Sequence, residues 1–399
     1  MDALQKIRTL SQSAQYDLAC ACGGTGRVRG VDDRWIYPAA LPDGQSIFLL
    51  KVLLSNACAN DCRYCVNRAS HDFRRTTFSA DELAGFFVRL WHGGRVGGLF
   101  LSSGIVGGSD RTMERMIRTV EILRLKHRFQ GYIHLKILPG AGYSLVERAV
   151  QLATRVSVNL EAPNSRRLDR IATGKDFRRD LLLRMQWARE LIARQPGRSA
   201  KSQTTQFVVG AADETDREIL EQTDRLYRKM NLARVYFSAF QPIPGTPLGG
   251  RPPAPPLREH RLYQADFLLR KYGFGFTELG FDGSGNLPET ADPKTVWARN
   301  HPEFFPLEVN RAGRDELLRV PGIGPLSARA IIRARGRNCF HSLEELRGVG
   351  VWTRRAAPFI LIDGRLGGSA QLDLFAGPNW RLNPSGIVPA GSSLPMPVG

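Results

Sequence analysis

The 399-residue chain is short of acidic side chains. It has 38 Asp and Glu against 56 Lys and Arg, so its formal net charge at pH 7 is +18. A protein with a field of this sign attracts polyanions, of which nucleic acid is the commonest. A genome that favours Arg codons would give the same excess, so the charge alone leaves both interpretations open.

Long apolar segments are also missing. The longest run, Ile47 to Leu54, is interrupted by Lys51 and is far shorter than the ~20 residues of a membrane-spanning helix. Residues Met1 to Gln15 lack the apolar core and the small-residue cleavage site of a signal peptide. We therefore expect a cytoplasmic protein, in which the six cysteines indicate metal or redox chemistry rather than disulfides.

Short apolar segments alternate with amphipathic segments from Ser46 to Phe240. Ser79 followed by Glu82 is a capping-box pattern and predicts that a helix begins there. Strands that alternate with helices form parallel sheets. The predicted fold class is therefore α/β, a partial (β/α)6 barrel over residues 46–250, with functional side chains at the carboxyl ends of the strands.

The remaining segments differ in composition. Residues 1–45 are predicted to be an irregular N-terminal extension, and residues 251–305 a linker that covers the barrel. The sequence of residues 306–366 predicts a compact all-α module. Residues 367–399 are rich in Gly, Ser and Pro and predict a disordered tail.

Three cysteines, Cys58, Cys62 and Cys65, follow the first predicted strand directly. A closed structural zinc site normally takes four ligands. Three thiolates are enough for a cubane iron–sulfur cluster that keeps one iron open to another ligand. A zinc loop that borrows a distant histidine and three ordinary buried cysteines are the alternatives.

The spacing of these cysteines, with Tyr64 just before the third, resembles the radical S-adenosylmethionine (SAM) superfamily. The resemblance implies that Cys58, Cys62 and Cys65 bind a 4Fe-4S cluster whose unique iron chelates SAM. One electron then cleaves SAM and gives a 5′-deoxyadenosyl radical, which abstracts hydrogen from a substrate. The cofactor supplies this chemistry, and the protein supplies binding and orientation.

Other segments extend the resemblance along the chain. Ser102-Ser103-Gly104 stands where the family usually carries Gly-Gly-Glu, and Asn159-Leu160-Glu161 ends the fourth strand. Val209-Gly210 lies where a backbone edge meets adenine in the family. The resemblance implies the following SAM-binding residues: Tyr64, Ser102, Ser103, Gly104, Asn159, Glu161, Val209 and Gly210.

Residues 315–335 resemble the helix-hairpin-helix motif of DNA repair and replication proteins. The turn Pro321-Gly322-Ile323-Gly324 leads into a helix whose N-terminus can bind an anion. A weaker copy turns at Gly348-Val349-Gly350, which pairs Gly348 with Gly322. The implied DNA-binding residues are Gly322, Gly324, Arg329, Gly348, Gly350, Arg354 and Arg355. A small helical bundle that binds protein is the alternative.

Inside the predicted tail, Gln371-Leu372-Asp373-Leu374-Phe375 resembles the pentapeptide that docks bacterial repair proteins on the sliding clamp. The partner-binding residues would be Gln371, Leu372, Leu374 and Phe375. Apolar side chains in such a tail need a partner that buries them. A short helix that folds back onto the barrel is the alternative.

The combination of barrel, hairpins and tail resembles the radical SAM proteins associated with DNA modification or repair. The resemblance implies that the chain modifies or repairs a nucleotide in double-stranded DNA. The sliding clamp, a protein similar to uracil-DNA glycosylases and an electron donor would be its partners. The sequence identifies no acid or base that acts on the substrate.

Three other functions remain open. One is an RNA-modifying radical SAM enzyme, and another is direct reversal of a pyrimidine photolesion. The third is a DNA-binding adaptor whose iron–sulfur cluster is structural or senses redox state.

Overall fold

The computed structural model describes residues 3–14, 35–40, 46–194, 201–367, 380–383 and 386–389. The chain divides into an N-terminal unit, Met1–Tyr263, and a C-terminal unit, Gln264–Gly399. No helix within the described ranges is long and apolar enough to cross a membrane.

A curled seven-stranded sheet forms the centre of the N-terminal unit, with its strands in chain order. The strands are β1 (Ile36–Ala40), β2 (Ser46–Leu53), β3 (Gly98–Ser102), β4 (Tyr132–Lys136), β5 (Arg155–Ser157), β6 (Ser202–Val209) and β7 (Arg234–Ala239). β1 pairs antiparallel with β2, and β2 to β7 are all parallel. The six parallel strands confirm the predicted partial barrel.

Helices precede, connect and follow these strands. They are α1 (Ala3–Ala14), α2 (Ala80–His92), α3 (Ser109–Glu121), α4 (Tyr143–Leu152), α5 (Ser165–Ile171), α6 (Leu183–Ala193), α7 (Asp216–Met230) and α8 (Pro256–Lys271). A π-helical turn at Ile122–Lys126 extends α3, and another at Phe177–Leu182 precedes α6. The capping box of α2 is confirmed, because the Ser79 hydroxyl accepts the Glu82 N–H at 3.1 Å and the Glu82 carboxylate accepts the Ser79 N–H at 2.8 Å.

The structure corrects the expectation for the segment before residue 46, which the sequence predicted to be irregular. It contributes α1 and β1 to the N-terminal unit. Ile7 and Leu10 of α1 are fully buried, and Lys6 donates to the Glu82 carboxylate at 2.7 Å. β1 has only five residues, of which one is Pro38, so its pattern is too short and too irregular to predict a strand.

The two faces of the parallel sheet differ in character. The convex face is apolar, and its residues Leu50, Leu99 and Ile133 are completely buried. The concave face carries polar and aromatic side chains, among them Lys51 and Phe100, which are only partly buried. Packing against helices therefore uses one face of the sheet and leaves the other for binding.

The C-terminal unit combines short helices with short strands. Its elements are α9 (Pro293–Asn300), β8 (Leu307–Glu308), α10 (Arg314–Leu317), α11 (Pro325–Arg335), α12 (Leu343–Gly348), α13 (Thr353–Ala356), β9 (Ile360–Ile362), β10 (Arg365–Leu366), β11 (Trp380–Asn383) and β12 (Gly386–Pro389). β8, β9 and β10 form one small sheet, and β11 pairs antiparallel with β12.

This unit differs from the sequence-based expectation in two places. The all-α module contains the sheet of β8 to β10, whose strands of two or three residues are too short to show an alternating pattern. Residues 380–383 and 386–389, which fell in the predicted disordered tail, pair as strands. Residues 371–375, with the clamp-like motif, lie outside the described residues.

Candidate functional site

The cysteine loop follows β2 and is fixed by hydrogen bonds to neighbouring segments. The backbone N–H of Ala59 donates to the Ile105 carbonyl at 2.7 Å, and that of Arg63 donates to the Ile171 carbonyl at 2.8 Å. Asp61 accepts Arg68 Nε at 2.9 Å, and the bonds from Arg68 and Ser70 lower the pKa of Asp61 to about 2. The loop is therefore held in one conformation before any cofactor binds.

Cys58, Cys62 and Cys65 line one cavity of about 510 Å³ at the carboxyl ends of the strands. Within the described residues, no three His, Cys, Asp or Glu side chains converge on a single metal ion. A cubane cluster binds each thiolate through a different iron, and three thiols leave its fourth iron open. The donor set therefore fits a 4Fe-4S cluster better than a zinc ion.

Burial controls the protonation of two of these thiols. It raises the pKa of Cys62, and it raises the pKa of Cys65 to about 12. Both side chains are therefore thiols at neutral pH in the metal-free protein. Iron binds thiolates, so cluster binding at this site releases protons.

A buried lysine that the sequence did not single out lies beside the cysteines. Lys175 Nζ is 3.6 Å from Glu161 Oε1, and Lys175 is close enough to Cys62 for the two groups to influence each other's pKa. Desolvation acts to lower the pKa of Lys175, but the neighbouring Cys62 and Glu161 outweigh it and raise that pKa. Lys175 thus keeps its positive charge beside the cysteine loop. Its loop, Gly174-Lys175-Asp176, carries no sequence signal for this role.

Six of the eight residues that the sequence assigned to SAM line the cavity. They are Tyr64, Ser102, Ser103, Gly104, Asn159 and Glu161. Gly104 is required by the close approach of the cysteine loop, because a Cβ atom there would lie 2.1 Å from the Ala57 carbonyl oxygen.

The other two assigned residues, Val209 and Gly210, are not among the residues that line this cavity. Val209 is completely buried, and the Gly210 N–H donates to the Glu214 carboxylate. The same strand instead presents Gln206 and Val208 to the cavity. The sequence-based assignment concerned the backbone at Val209 and Gly210, and it stays a prediction.

Further polar side chains line the cavity without having been predicted. Lys136 ends β4, and Ser238 lies near the end of β7. Glu259 of α8 also lines the cavity, and its carboxylate accepts the Ala239 N–H at 2.8 Å. Lysine and glutamate are common on any surface, so only the assembled sheet shows that these side chains share a site.

A partial α/β barrel with three cysteines on its first loop defines a class of metal-dependent radical enzyme. Residues 52–226 match the family model described as the Radical SAM superfamily, so this region is a radical SAM domain. The family uses a 4Fe-4S cluster and SAM. No curated protein sequence matches this chain.

Several solved structures are similar to part of the chain. The FeFe-hydrogenase maturase HydG from Carboxydothermus hydrogenoformans is 16% identical, with a TM-score of 0.45, over 55% of this chain and 51% of that chain. Methylornithine synthase (PylB) is 15% identical, with a TM-score of 0.44, over 55% and 61%. The methyltransferase TsrM from Kitasatospora setae is 14% identical, with a TM-score of 0.40, over 50% and 35%. Each match spans less than two thirds of the solved chain.

The C-terminal unit contains two similar hairpins, which turn at Gly322 and at Gly350. Both glycines have a positive φ, +87° and +83°, and the residues after them, Ile323 and Val351, are both buried. Gly348 ends α12 and is not the counterpart of Gly322. The pairing of Gly348 with Gly322 that the sequence predicted was therefore wrong.

The two hairpins are bonded to each other. The Trp352 N–H donates to the Gly322 carbonyl at 3.0 Å, and the Ser327 hydroxyl donates to the Gly350 carbonyl at 2.6 Å. Within the described residues, neither Gly322 nor Gly324 has an acceptor for its backbone N–H. Gly324 precedes α11, so its N–H is available to an anion at that helix N-terminus.

The basic residues assigned to DNA differ in their surroundings. Arg329 and Arg354 are exposed. Arg355 forms an ion pair with Asp292 and donates to Thr295 Oγ1 at 2.8 Å. Arg355 therefore links two segments of the C-terminal unit, and its assignment to phosphate stays a prediction.

A buried lysine supports the first hairpin and makes its stability depend on pH. Lys294 Nζ donates to the Ile323 carbonyl at 2.6 Å. Desolvation lowers the pKa of Lys294 to about 7. The charge of Asp292 opposes this shift, whereas the positive charges of Arg355 and Arg319 reinforce it. The unfolded chain binds this proton more tightly than the folded unit, so stability rises as pH rises above the folded pKa.

We expect the free energy of unfolding of the C-terminal unit to increase by up to ~2 kcal/mol between pH 7 and about 8.5. Lys294→Met should remove this dependence, and Lys271→Met, at an exposed lysine, should keep it. Urea denaturation at each pH measures the effect. If the free energy of unfolding changed equally with pH in the wild type and in Lys294→Met, the role of Lys294 would be contradicted.

Proposed function

We propose that the chain is a radical SAM enzyme that modifies or repairs a nucleotide in DNA. The radical SAM domain supplies the chemistry, and the paired hairpins of the C-terminal unit hold the duplex. The observation that carries the proposal is the pair of mutually bonded hairpins in the same chain as a radical SAM domain.

In this proposal Cys58, Cys62 and Cys65 bind the cluster. Together, a bound cluster and SAM supply a carbon radical that removes a hydrogen atom from the substrate. Lys175 keeps a fixed positive charge beside the thiolates and offsets part of their negative charge.

The walls of the cavity position the cofactor and limit access of water. Tyr64, Ser102 and Asn159 offer hydroxyl and amide groups that can orient a polar cofactor. Leu53 and Ile105 give the cavity apolar walls, which protect a reactive radical from side reactions.

The hairpins bind phosphates without reading base sequence. Backbone N–H groups at Gly322 and Gly324 and the exposed Arg329 and Arg354 are the groups that would meet the DNA backbone. Contacts of this kind position a protein but carry no sequence information. Binding of duplex DNA should therefore weaken steeply as salt increases.

The proposed partners follow from the sequence. The motif Gln371-Leu372-Asp373-Leu374-Phe375 would bind the sliding clamp and keep the enzyme near replicating DNA. A protein similar to uracil-DNA glycosylases would act with it on the same DNA. An electron donor is also required, because cleavage of SAM consumes one electron.

The experiment measures 5′-deoxyadenosine formed by anaerobically reconstituted protein with SAM and reductant, with and without duplex DNA. We expect DNA to increase the yield about tenfold or more, because a bound substrate hydrogen makes radical formation productive. A full cluster with no 5′-deoxyadenosine would favour the DNA-binding adaptor. A yield that rises with RNA and not with DNA would favour the RNA-modifying enzyme.

A further inference from the structure

A row of side chains crosses the concave face of the sheet at one level. Lys51 of β2 lies opposite Phe100 of β3, Phe100 lies opposite His134 of β4, and His134 lies opposite Arg155 of β5. Directly opposed residues in a sheet point to the same face. These four side chains therefore stand side by side on the concave face.

The parallel strands carry charged side chains of a single sign. Lys51, Lys136, Arg155 and Arg234 all lie on the parallel strands, and none of the strands β2 to β7 contains an Asp or Glu. At the carboxyl ends the cavity has two acidic side chains, and both are engaged. Glu161 lies 3.6 Å from Lys175 Nζ, and the Glu259 carboxylate accepts the Ala239 N–H. The strands thus offer a cationic surface.

Aromatic rings stand between these cations. The pairs, with the distance from the cation to the ring centroid, are Lys51–Tyr37 (5.5 Å), Lys51–Phe100 (5.4 Å), Arg155–Tyr132 (5.9 Å) and Arg234–Tyr236 (5.0 Å). The ring of His134 also lies 4.4 Å from that of Phe100. Cations and rings therefore alternate across the face.

Several side chains on this face are less buried than those on the opposite one. Lys51, Phe100, Tyr132, Arg155 and Tyr236 are partly exposed, whereas the convex side of the same strands is packed against helices. A structural core would bury apolar groups here. Polar and aromatic groups that stay accessible are instead suited to bind a ligand.

We propose that the concave face binds an unpaired stretch of nucleic acid and leads one nucleotide into the cavity. A positively charged groove interleaved with aromatic side chains is the combination that binds single strands, because phosphates meet cations and bases stack on rings. Lys136 continues the charged surface to the cavity that it lines. The inference rests on the proposed function and specifies the form of its substrate.

The length of the charged surface favours a strand over a small anion. Neighbouring strands are ~4.8 Å apart, so the row from β2 to β5 spans roughly 14 Å. That is longer than one phosphate group and matches a segment of several atoms of nucleic-acid backbone. A target base inside a duplex must leave the stack before an enzyme can act on it, and this face would hold the strand once the base is exposed.

The test compares two double variants that remove the same charge. Lys51→Met with Arg155→Met changes the concave face and keeps the length of the side-chain stems. Arg118→Met with Lys126→Met changes exposed residues of α3 and its π-helical extension. Fluorescence anisotropy measures the binding of an oligothymidylate of about twelve nucleotides and of a duplex of the same length, over a range of salt.

We expect the concave-face variant to bind the oligothymidylate about tenfold or more weakly than the wild type. The slope of the logarithm of its binding constant against the logarithm of salt concentration should become shallower by about two. Its affinity for the duplex should stay within about twofold of the wild type, because the hairpins are intact. The α3 variant should resemble the wild type with both probes. Melting temperature and cluster absorbance establish that each variant is folded, and Lys51→Arg with Arg155→Lys should restore binding.

Other outcomes would overturn the inference in distinguishable ways. Equal weakening in both double variants would show an effect of net charge rather than of this face. Unchanged oligothymidylate binding in a folded concave-face variant would exclude the face directly. If tripolyphosphate displaced the bound oligothymidylate as effectively as unlabelled oligothymidylate does, the face would instead bind a small anionic ligand. A wild-type protein that binds neither probe would instead refute the proposed function.

Discussion

Cys62→Ala is expected to abolish the 4Fe-4S cluster and to lower 5′-deoxyadenosine formation at least ~100-fold. Loss of a group that only supports a metal ligand already costs 10- to 100-fold in affinity or activity, and a ligand itself contributes more. Cys62 is buried, whereas Cys58 and Cys65 are partly exposed. Iron content per chain and visible absorbance after anaerobic reconstitution measure the loss.

Cys339→Ala is the matched control for this prediction. Cys339 is a free, exposed cysteine of the C-terminal unit, so its removal changes thiol content without touching the cavity. We expect this variant to keep a full cluster and full 5′-deoxyadenosine formation. Four irons per chain in Cys62→Ala would show that the ligand assignment is wrong.

Gly322→Ala is expected to destabilise the C-terminal unit by about 3 kcal/mol and to weaken duplex binding at least tenfold. Its φ of +87° is strained for any residue with a Cβ, and that atom would lie 2.5 Å from the Trp352 carbonyl oxygen. Strain of this kind and overpacking each cost on the order of 1–3 kcal/mol. Urea denaturation and duplex anisotropy measure the two effects.

Gly348→Ala is the control, because no atom lies within 4 Å of a Cβ built at Gly348. The sequence assigned both glycines to DNA binding, and only Gly322 has a geometry that excludes a side chain. We expect Gly348→Ala to leave stability and duplex binding unchanged. A Gly322→Ala protein that binds duplex DNA as tightly as the wild type would contradict the role of the hairpin.

Much of the barrel could be predicted because its signals are local. The capping box at Ser79 and the buried strand that precedes the cysteines each lie within a short stretch of sequence. The same holds for the cysteine loop, whose three thiols are close in the chain. A pattern of this kind depends on neighbours along the chain and so can be recognised without the fold.

The features that sequence missed depend on distant parts of the chain. Lys175 matters only because the fold places it beside Cys62 and Glu161. The counterpart of Gly322 is Gly350 because their turns pack and bond to each other, whereas the letters Gly-Val-Gly point to Gly348. The shared face of Lys51 and Arg155 requires the register of four strands, which no single segment encodes.

The two hairpins are similar but not identical, and the difference gives them unlike surfaces. Gly324 precedes the helix of the first hairpin, whereas its counterpart in the second hairpin is Trp352, which is 61% exposed. In the proposed complex the first hairpin would meet a phosphate with a backbone N–H group, whereas the second would present an indole at the corresponding position. The two hairpins would therefore contribute unequally to the affinity for DNA.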